Sequence, residues 1–129
     1  MTKFLVRVYI FPGKPLNIIP GILNLTYIKN VGAAFGLLYG QTYFLLAVGI
    51  AVMAVVLYYH FRVPKDQKLI QVSLALILGG SLSNFLDRLL NGYVMDMIDI
   101  RFWPVFNIAD SVIVIGVAIL LYEILTEKK

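Results

Sequence analysis

Three long apolar runs decide what this chain can fold into. The first, Tyr43 to Tyr59, has no charged residue and as a helix is about 25 Å long at about 1.5 Å per residue. The second extends from Leu69 to Leu86, and the third, Ser111 to Leu125, carries Glu123 as its single charge. With its flanks, each is long enough to cross a lipid bilayer. We expect a mainly α-helical membrane protein with a bundle of three transmembrane helices.

Composition narrows the class of protein further. The 129 residues have a mean hydropathy of +0.88, too apolar for a soluble domain, and we expect one integral-membrane domain over residues 1–129. With no cysteine and a single histidine, the sequence excludes disulfides, thiolate nucleophiles and histidine-based zinc sites, and no metal or other cofactor is expected. The net charge of +4 comes from dispersed Lys and Arg, so nucleic acid is not an expected partner.

Basic residues predict the orientation in the membrane. Lys and Arg outnumber acids in residues 60–68, between the first two runs, and Lys128 and Lys129 follow the third run. Because loops rich in Lys and Arg stay on the cytoplasmic side, both segments are expected there. The N-terminal residues 1–42 and the connection 87–110 are then expected on the outer face.

The N-terminal stretch does not read as one more complete span. Prolines and glycines such as Pro12 and Gly21 interrupt it, and the apolar segment Phe4 to Ile10 is too short to cross a bilayer. Within it, residues Ile22 to Lys29 alternate in side-chain character and end in β-formers, which predicts a strand. A small β-sheet on the outer face is therefore expected.

The acidic residues are concentrated next to the membrane. Four of the seven lie in one short stretch between two apolar runs, namely Asp87, Asp96, Asp99 and Asp110. Ionisable groups at a bilayer boundary are costly, so this cluster is a candidate functional site. Asp96 stands between apolar neighbours, and Pro104 turns the chain between Asp96 and Asp110. Two carboxylates at one point do not both ionise cheaply, so one keeps its proton while the other activates water.

Several of these residues also have a purely structural interpretation. Asn107 is a candidate N-cap for the third run, with Asp110 favoured in the first helical turn. Asp87 and Arg88 are expected to hold a neighbouring loop at a helix end, and Asn91-Gly92 supplies a helix stop. Small residues from Asn30 to Gly36 permit close approach of another backbone, but whether Asn30 binds substrate or closes a turn stays open.

Four blocks of sequence resemble, in order, the motifs of bacterial signal peptidase II, the lipoprotein signal peptidase family. They are Asn30-Val31-Gly32-Ala33-Ala34-Phe35-Gly36, Gly80-Ser81-Leu82-Ser83-Asn84-Phe85-Leu86-Asp87-Arg88, Gly92-Tyr93-Val94-Met95-Asp96-Met97-Ile98-Asp99 and Phe106-Asn107-Ile108-Ala109-Asp110-Ser111. The resemblance implies an intramembrane aspartic endopeptidase that removes the signal peptide of a prolipoprotein by cleaving before a cysteine that carries diacylglyceryl. The implied fold has four transmembrane helices and a small outer β-cradle.

The resemblance also assigns residues. The implied catalytic pair is Asp96 and Asp110, and the implied substrate-binding or supporting residues are Asn30, Asn84, Asp87, Arg88, Asn107 and Ala109. The implied partners are diacylglyceryl-prolipoproteins and membrane lipid, and a monomer in the bacterial cytoplasmic membrane, with its active site towards the outer face, is expected.

Two departures from the family pattern stand out. Ser83 takes the place of a common glycine before Asn84. The first residues, Met1 to Val6, resemble the end of the family's first transmembrane helix, but the helix before them and the Asp that precedes Thr-Lys by three residues are missing, so three spans are expected and that acid has no counterpart. An inactive homologue or a non-enzymatic subunit of a membrane complex is therefore the alternative. A proton-coupled carrier is disfavoured, because carrier acids usually lie near mid-membrane.

Overall fold

The computed structural model describes residues 2–9, 15–33 and 37–127. In chain order these form helix α1 (Thr2–Tyr9), strands β1 (Leu16–Ile19) and β2 (Leu23–Asn30), helices α2 (Thr42–Arg62) and α3 (Lys68–Asn91), strand β3 (Val94–Asp99) and helix α4 (Ile108–Thr126). Several predictions concern residues outside the described ones: Ile10, the end of the apolar N-terminal segment, Pro12, residues 34–36 of the small-residue block, and Lys128 and Lys129.

Within the described residues, α2, α3 and α4 are long and apolar enough to cross a membrane, as the apolar runs predicted. Their outward surfaces carry large exposed apolar side chains, for example Tyr43, Val114 and Leu125. Lipid, which is as apolar as these side chains, is the solvent that suits such a surface.

All three helices exceed the predicted runs, and α3 does so most. It continues from Leu86 to Asn91, so Asp87 and Arg88 belong to its last turns and not to the connection that follows. The stop is Gly92, whose φ of +80° is a left-handed conformation that costs glycine little. The apolar run ends at Leu86, but the helix continues to the predicted stop because Asp87 and Arg88 find partners within the fold.

Helices α3 and α4 approach each other closely because glycines line their contact. A Cβ atom at Gly80 would lie 2.6 Å from the carbonyl oxygen of Ala109, and one at Gly116 would lie 2.9 Å from the carbonyl oxygen of Ser73. Such contacts exclude any larger residue, as in other tightly packed membrane helices. This packing brings the start of α4 against the last turns of α3.

The three strands form one antiparallel sheet in the order β1-β2-β3 at that same end of the bundle. The predicted strand Ile22–Lys29 is β2, shifted by one residue, whereas the sequence analysis did not identify β1 or β3 as strands. Ile28 pairs with Asp96, and Asn30 pairs with Val94. The sheet therefore carries Asn30 and Asp96 side by side to the end of the helical bundle.

Candidate active site

Five elements bring the predicted polar residues to one end of the bundle. Asn30 ends β2, Asp96 lies in β3, and the last turns of α3 carry Asn84 and Arg88. The start of α4 supplies the remaining carboxylate, and α1 adds Lys3. A cavity of about 290 Å³ opens among β2, β3, α3 and α4, and both Asp96 and Asp110 line it.

Asn107 and Asp110 form a reciprocal cap at the start of α4. The Asp110 amide donates to Asn107 Oδ1 over 2.9 Å, and the Asn107 amide donates to Asp110 Oδ2 over 3.1 Å. The predicted capping arrangement is confirmed. Because the cap uses only the oxygen of the Asn107 side chain, the side-chain nitrogen Nδ2 stays available for other partners.

That nitrogen connects the cap to Asp96. Asn107 is fully buried, and its Nδ2 donates to Asp96 Oδ1 over 2.9 Å and to Asn84 Oδ1 over 3.1 Å. One residue thus contacts both carboxylates, Asp110 through its backbone and Asp96 through its side chain. Asn107 therefore bridges the two acids.

Asp96 is the more enclosed carboxyl group, with 3% of its surface exposed. Its second oxygen accepts a hydrogen bond of 2.9 Å from Asn30 Nδ2. Burial raises the pKa of Asp96 to about 6, and the charge of Asp110 acts in the same direction. The bonds from Asn30 and Asn107 and the charge of Lys3 lower this pKa without cancelling the effect of burial.

Three asparagines around the two acids are fixed in orientation. In each, the side-chain oxygen accepts from another donor, so the NH₂ group must face a carboxylate. Asn30 Oδ1 accepts a hydrogen bond from the Gly32 backbone amide over 2.9 Å, and Asn107 Oδ1 accepts one from the Asp110 backbone amide. Asn84 Nδ2 donates to Asp110 Oδ1 over 2.8 Å. The acids therefore lie among pre-oriented donors, which need no rearrangement during a reaction.

Asp87 and Arg88, near the end of α3, form hydrogen bonds to two different segments of the chain. Asp87 accepts from the Met95 amide over 3.1 Å and so holds the residue next to Asp96. Arg88 Nη2 donates to the Gly32 carbonyl over 3.3 Å, beside the turn that Asn30 closes. Asn30 thus closes a turn with one atom and contacts Asp96 with another, and its binding of substrate stays a prediction.

The remaining residues of interest have different surroundings. Ala109 is buried and packs against Gly80, and it is absent from the lining of the cavity. Asp99 accepts from the Arg101 amide over 2.9 Å and does not line the cavity either. Within the described residues, no group of His, Cys, Asp and Glu is arranged to hold a metal ion.

Lys3 is the residue of this cluster that the sequence analysis did not select. Its ammonium lies 2.9 Å from Asp87 Oδ2, 3.1 Å from Ser83 Oγ and 3.2 Å from Asn84 Oδ1. The signal available in the sequence was the Thr2-Lys3 pair, which resembles the end of the family's first helix. Its spatial partners, about 80 positions away, could not be read from that pair.

A second cavity, of about 360 Å³, adjoins the first. Trp103, Phe106, Asp110 and Val114 line both cavities, and Ile100, Ser111 and Ile115 complete the lining of the second. Its surface is almost entirely apolar, with one acid at the edge. A hydrophobic chain bound here would lie directly beside Asp110.

Comparisons with known proteins agree with this architecture. The solved structure of a bacterial membrane enzyme at 2.3 Å resolution superposes with a TM-score of 0.93, at 34% identity, over 99% of this chain and 82% of that one. Lipoprotein signal peptidases are 44% identical in Moorella thermoacetica, over 97% of this chain and 83% of that protein, and 39% identical in Halothermothrix orenii, over 100% and 88%. Residues 1–126 match the family model of signal peptidase (SPase) II, and the chain therefore belongs to the signal peptidase II family of lipoprotein signal peptidases.

Proposed function

We propose that the chain is an intramembrane aspartic endopeptidase that cleaves prolipoproteins immediately before the diacylglyceryl-modified cysteine, with Asp96 and Asp110 as its catalytic residues. The observation that carries this proposal is the bridge through Asn107, which joins two carboxylates that line one cavity. All the groups described come from one copy of the chain, so a monomer is the proposed active unit.

The surroundings of the two acids suggest different roles. Asp110 is only half-buried and lines both cavities, so it is the group better placed to meet water. Asp96 is the enclosed group with the raised pKa, which suits the member that keeps a proton.

In this mechanism Asp110 takes a proton from water while the water oxygen attacks the scissile carbonyl carbon. Asp96 gives its proton to the carbonyl oxygen, and a neutral tetrahedral diol forms. Asp110 then passes its proton to the leaving nitrogen as the C–N bond breaks, and Asp96 recovers its proton as the carbonyl re-forms. Both acids end in their starting protonation states, and no metal or cofactor takes part.

The pH dependence follows from this assignment. Activity requires protonated Asp96, so kcat/KM is expected to fall as pH rises through a free-enzyme pKa of about 6. A bound substrate excludes water from the cavity and disfavours the charged form further. The corresponding fall in kcat is therefore expected at higher pH than the fall in kcat/KM.

The apolar cavity supports a lipid-modified substrate. Its walls of Trp103, Phe106 and Val114 suit acyl chains, and the reacting bond would lie beside Asp110 at its edge. Diacylglyceryl-prolipoproteins and membrane lipid are therefore the proposed partners.

We place the protein in the bacterial cytoplasmic membrane with the two acids towards the outer face. The basic residues between α2 and α3, Arg62, Lys65 and Lys68, lie at the opposite end of the helices and favour the cytoplasmic side. A cysteine introduced at Asp66 should be labelled by an impermeant thiol reagent only from the cytoplasmic side, and one at Asn91 only from outside. The reverse pattern would contradict a role in processing exported precursors.

The catalytic assignment is tested by Asp96→Asn and Asp110→Asn in the purified protein, with a diacylglyceryl-modified precursor as substrate. Each should lower kcat by about a thousandfold or more, since each removes one member of the acid–base pair. Asp99→Asn is the matched control, because it removes a neighbouring carboxylate that does not line the cavity, and it should retain wild-type activity. Activity within tenfold of wild type in either dyad variant would refute the assignment, and a wild-type protein without activity would favour the inactive homologue.

A further inference from the structure

The contacts of Lys3 do more than hold α1 against α3. Its side chain is only 14% exposed, and its three closest polar partners are Ser83, Asn84 and Asp87 of α3. An ammonium group has three N–H donors and no acceptor, so the three partners match its full capacity. We propose that Lys3 is a positioning residue of the active site, which holds Asn84 and Asp87 in the orientations that the two catalytic acids require; this inference rests on the proposed function.

The first path runs through Asn84 to Asp110. Asn84 Oδ1 accepts from Lys3 and from Asn107, and this leaves Asn84 Nδ2 facing Asp110. An Asn side chain can rotate by 180° at little cost when neither end is held. The ammonium of Lys3 makes the flipped state unfavourable, because flipping would place the Asn84 NH₂ group against a cation.

The second path runs through Asp87 to Asp96. Asp87 Oδ2 receives both the Lys3 ammonium and the Met95 amide. Without its cation, the half-buried carboxylate would keep the Met95 amide but lose its ion pair, which is unfavourable. Any movement of Asp87 towards water would release the Met95 amide, and Met95 directly precedes Asp96 in β3.

A third effect of Lys3 is electrostatic. Asp96 is influenced by the charges of Lys3 from α1, Arg88 from α3 and Asp110 from α4. The positive charge of Lys3 lowers the pKa of Asp96, so its removal should raise that pKa further. A residue that merely tied α1 to α3 by packing would have no such effect on the pH profile.

The test compares Lys3→Met, Lys3→Arg and Lys3→Gln with Lys29→Met in the full chain, with the diacylglyceryl-modified precursor as substrate. Lys29→Met is the matched control, since it removes one positive charge at the same end of the molecule, where the exposed Lys29 ammonium lies 5.1 Å from the ring of Tyr93. We expect Lys3→Met to lower kcat at least tenfold with KM within twofold of wild type, because a charge-assisted network is lost. The alkaline limb of its kcat/KM profile should move to higher pH.

The other two variants separate charge from geometry. Lys3→Arg should keep the wild-type alkaline limb, because the charge remains, but should recover kcat only in part, since a planar guanidinium does not match three converging acceptors. Lys3→Gln keeps one donor for Asn84 but no charge, so it should show the shifted limb with an intermediate kcat. If Lys3→Met is not recovered as folded protein, Lys3→Gln decides the matter.

Three results would overturn the proposal: a Lys3→Met kcat within twofold of wild type, equal losses in Lys3→Met and Lys29→Met, or a fall in activity with an unshifted alkaline limb. For Lys3→Gln, an unshifted limb or a wild-type kcat would do the same. Failure of the proposed function is distinguishable, because it would appear as wild-type rates in Asp110→Asn. If the dyad variants lose activity while the Lys3 variants keep it, the proposed function stands and only the inference about Lys3 is refuted.

Discussion

The two ends of the helical bundle both carry buried or half-buried polar groups, but they are built in different ways. At the turn between α2 and α3, the side-chain amide of Gln71 donates to the carbonyls of His60 and Val63, and His60 Nδ1 lies 2.7 Å from Gln71 Oε1. These partners are at most 11 positions apart in sequence. At the other end, the hydrogen-bonded partners of the candidate active site are up to 81 positions apart.

The kinds of partner also differ. At the turn, Gln71 and Lys65 donate mainly to carbonyls that the end of α2 leaves free, so they complete a helix terminus. In the candidate active site, asparagine side chains donate to carboxylates of other elements, and the oxygen of Asn84 accepts from Lys3 and Asn107, which are also distant in sequence. The contacts of Gln71 and Lys65 need only the turn between α2 and α3. The contacts of the candidate active site need α1, the sheet, α3 and α4 to be assembled. The polar groups of the turn are satisfied locally, whereas those of the candidate active site also have partners from distant segments.

We expect the largest effect from replacing Asn107, which belongs both to a local helix cap and to the contacts between distant segments. Asn107→Ala removes the cap of α4 and the donor that bridges to Asp96, so we expect kcat to fall by about a hundredfold or more and the free energy of unfolding to fall by about 2–4 kcal/mol. Initial rates and thermal unfolding in detergent measure the two effects.

Asn107→Ser is the control that separates the loss of the helix cap from the loss of the contact with Asp96. A serine hydroxyl caps a helix about as well as an asparagine, but it has no amide to reach Asp96. Its stability should lie within about 1 kcal/mol of wild type, while its kcat should be close to that of Asn107→Ala. Wild-type activity in Asn107→Ser would mean that the bridge between the acids is dispensable.

Local features of the fold were predictable from the sequence. The apolar runs predicted α2, α3 and α4 because the hydropathy of a membrane helix is a property of each segment alone. The Asn107–Asp110 cap and the stop at Gly92 were also predictable, since each depends on residues within one turn. The second apolar run ended at Leu86, and α3 continues past it to the predicted stop because Asp87 and Arg88 find partners elsewhere in the chain.

Features that depend on distant partners were harder to predict. Strand β3 alternates Met95, Asp96 and Met97 within a short connection, and it becomes a strand because β2 pairs with it. The sequence blocks pointed to Asp96 and Asp110 and to their asparagines, but not to which carboxylate each amide contacts, because Asn30, Asn84 and Asn107 reach carboxylates of other elements. Lys3 was not selected for the same reason, because its role depends on residues about 80 positions away.

The smallest expected effect comes from the opposite end of the molecule. Gln71→Ala removes the hydrogen bonds that close the α2–α3 turn, and water can replace them at this half-buried position, so the free energy of unfolding should fall by about 1 kcal/mol. Because Gln71 lies at the far end of α3 from Asn84, kcat should stay within twofold of wild type, and the alkaline limb of kcat/KM should not move. Thermal unfolding and a pH–rate profile on the same preparation measure both quantities. A fall in kcat of fivefold or more would show that α3 transmits changes from one end to the other, and the division between a locally satisfied turn and a globally held site would then be wrong.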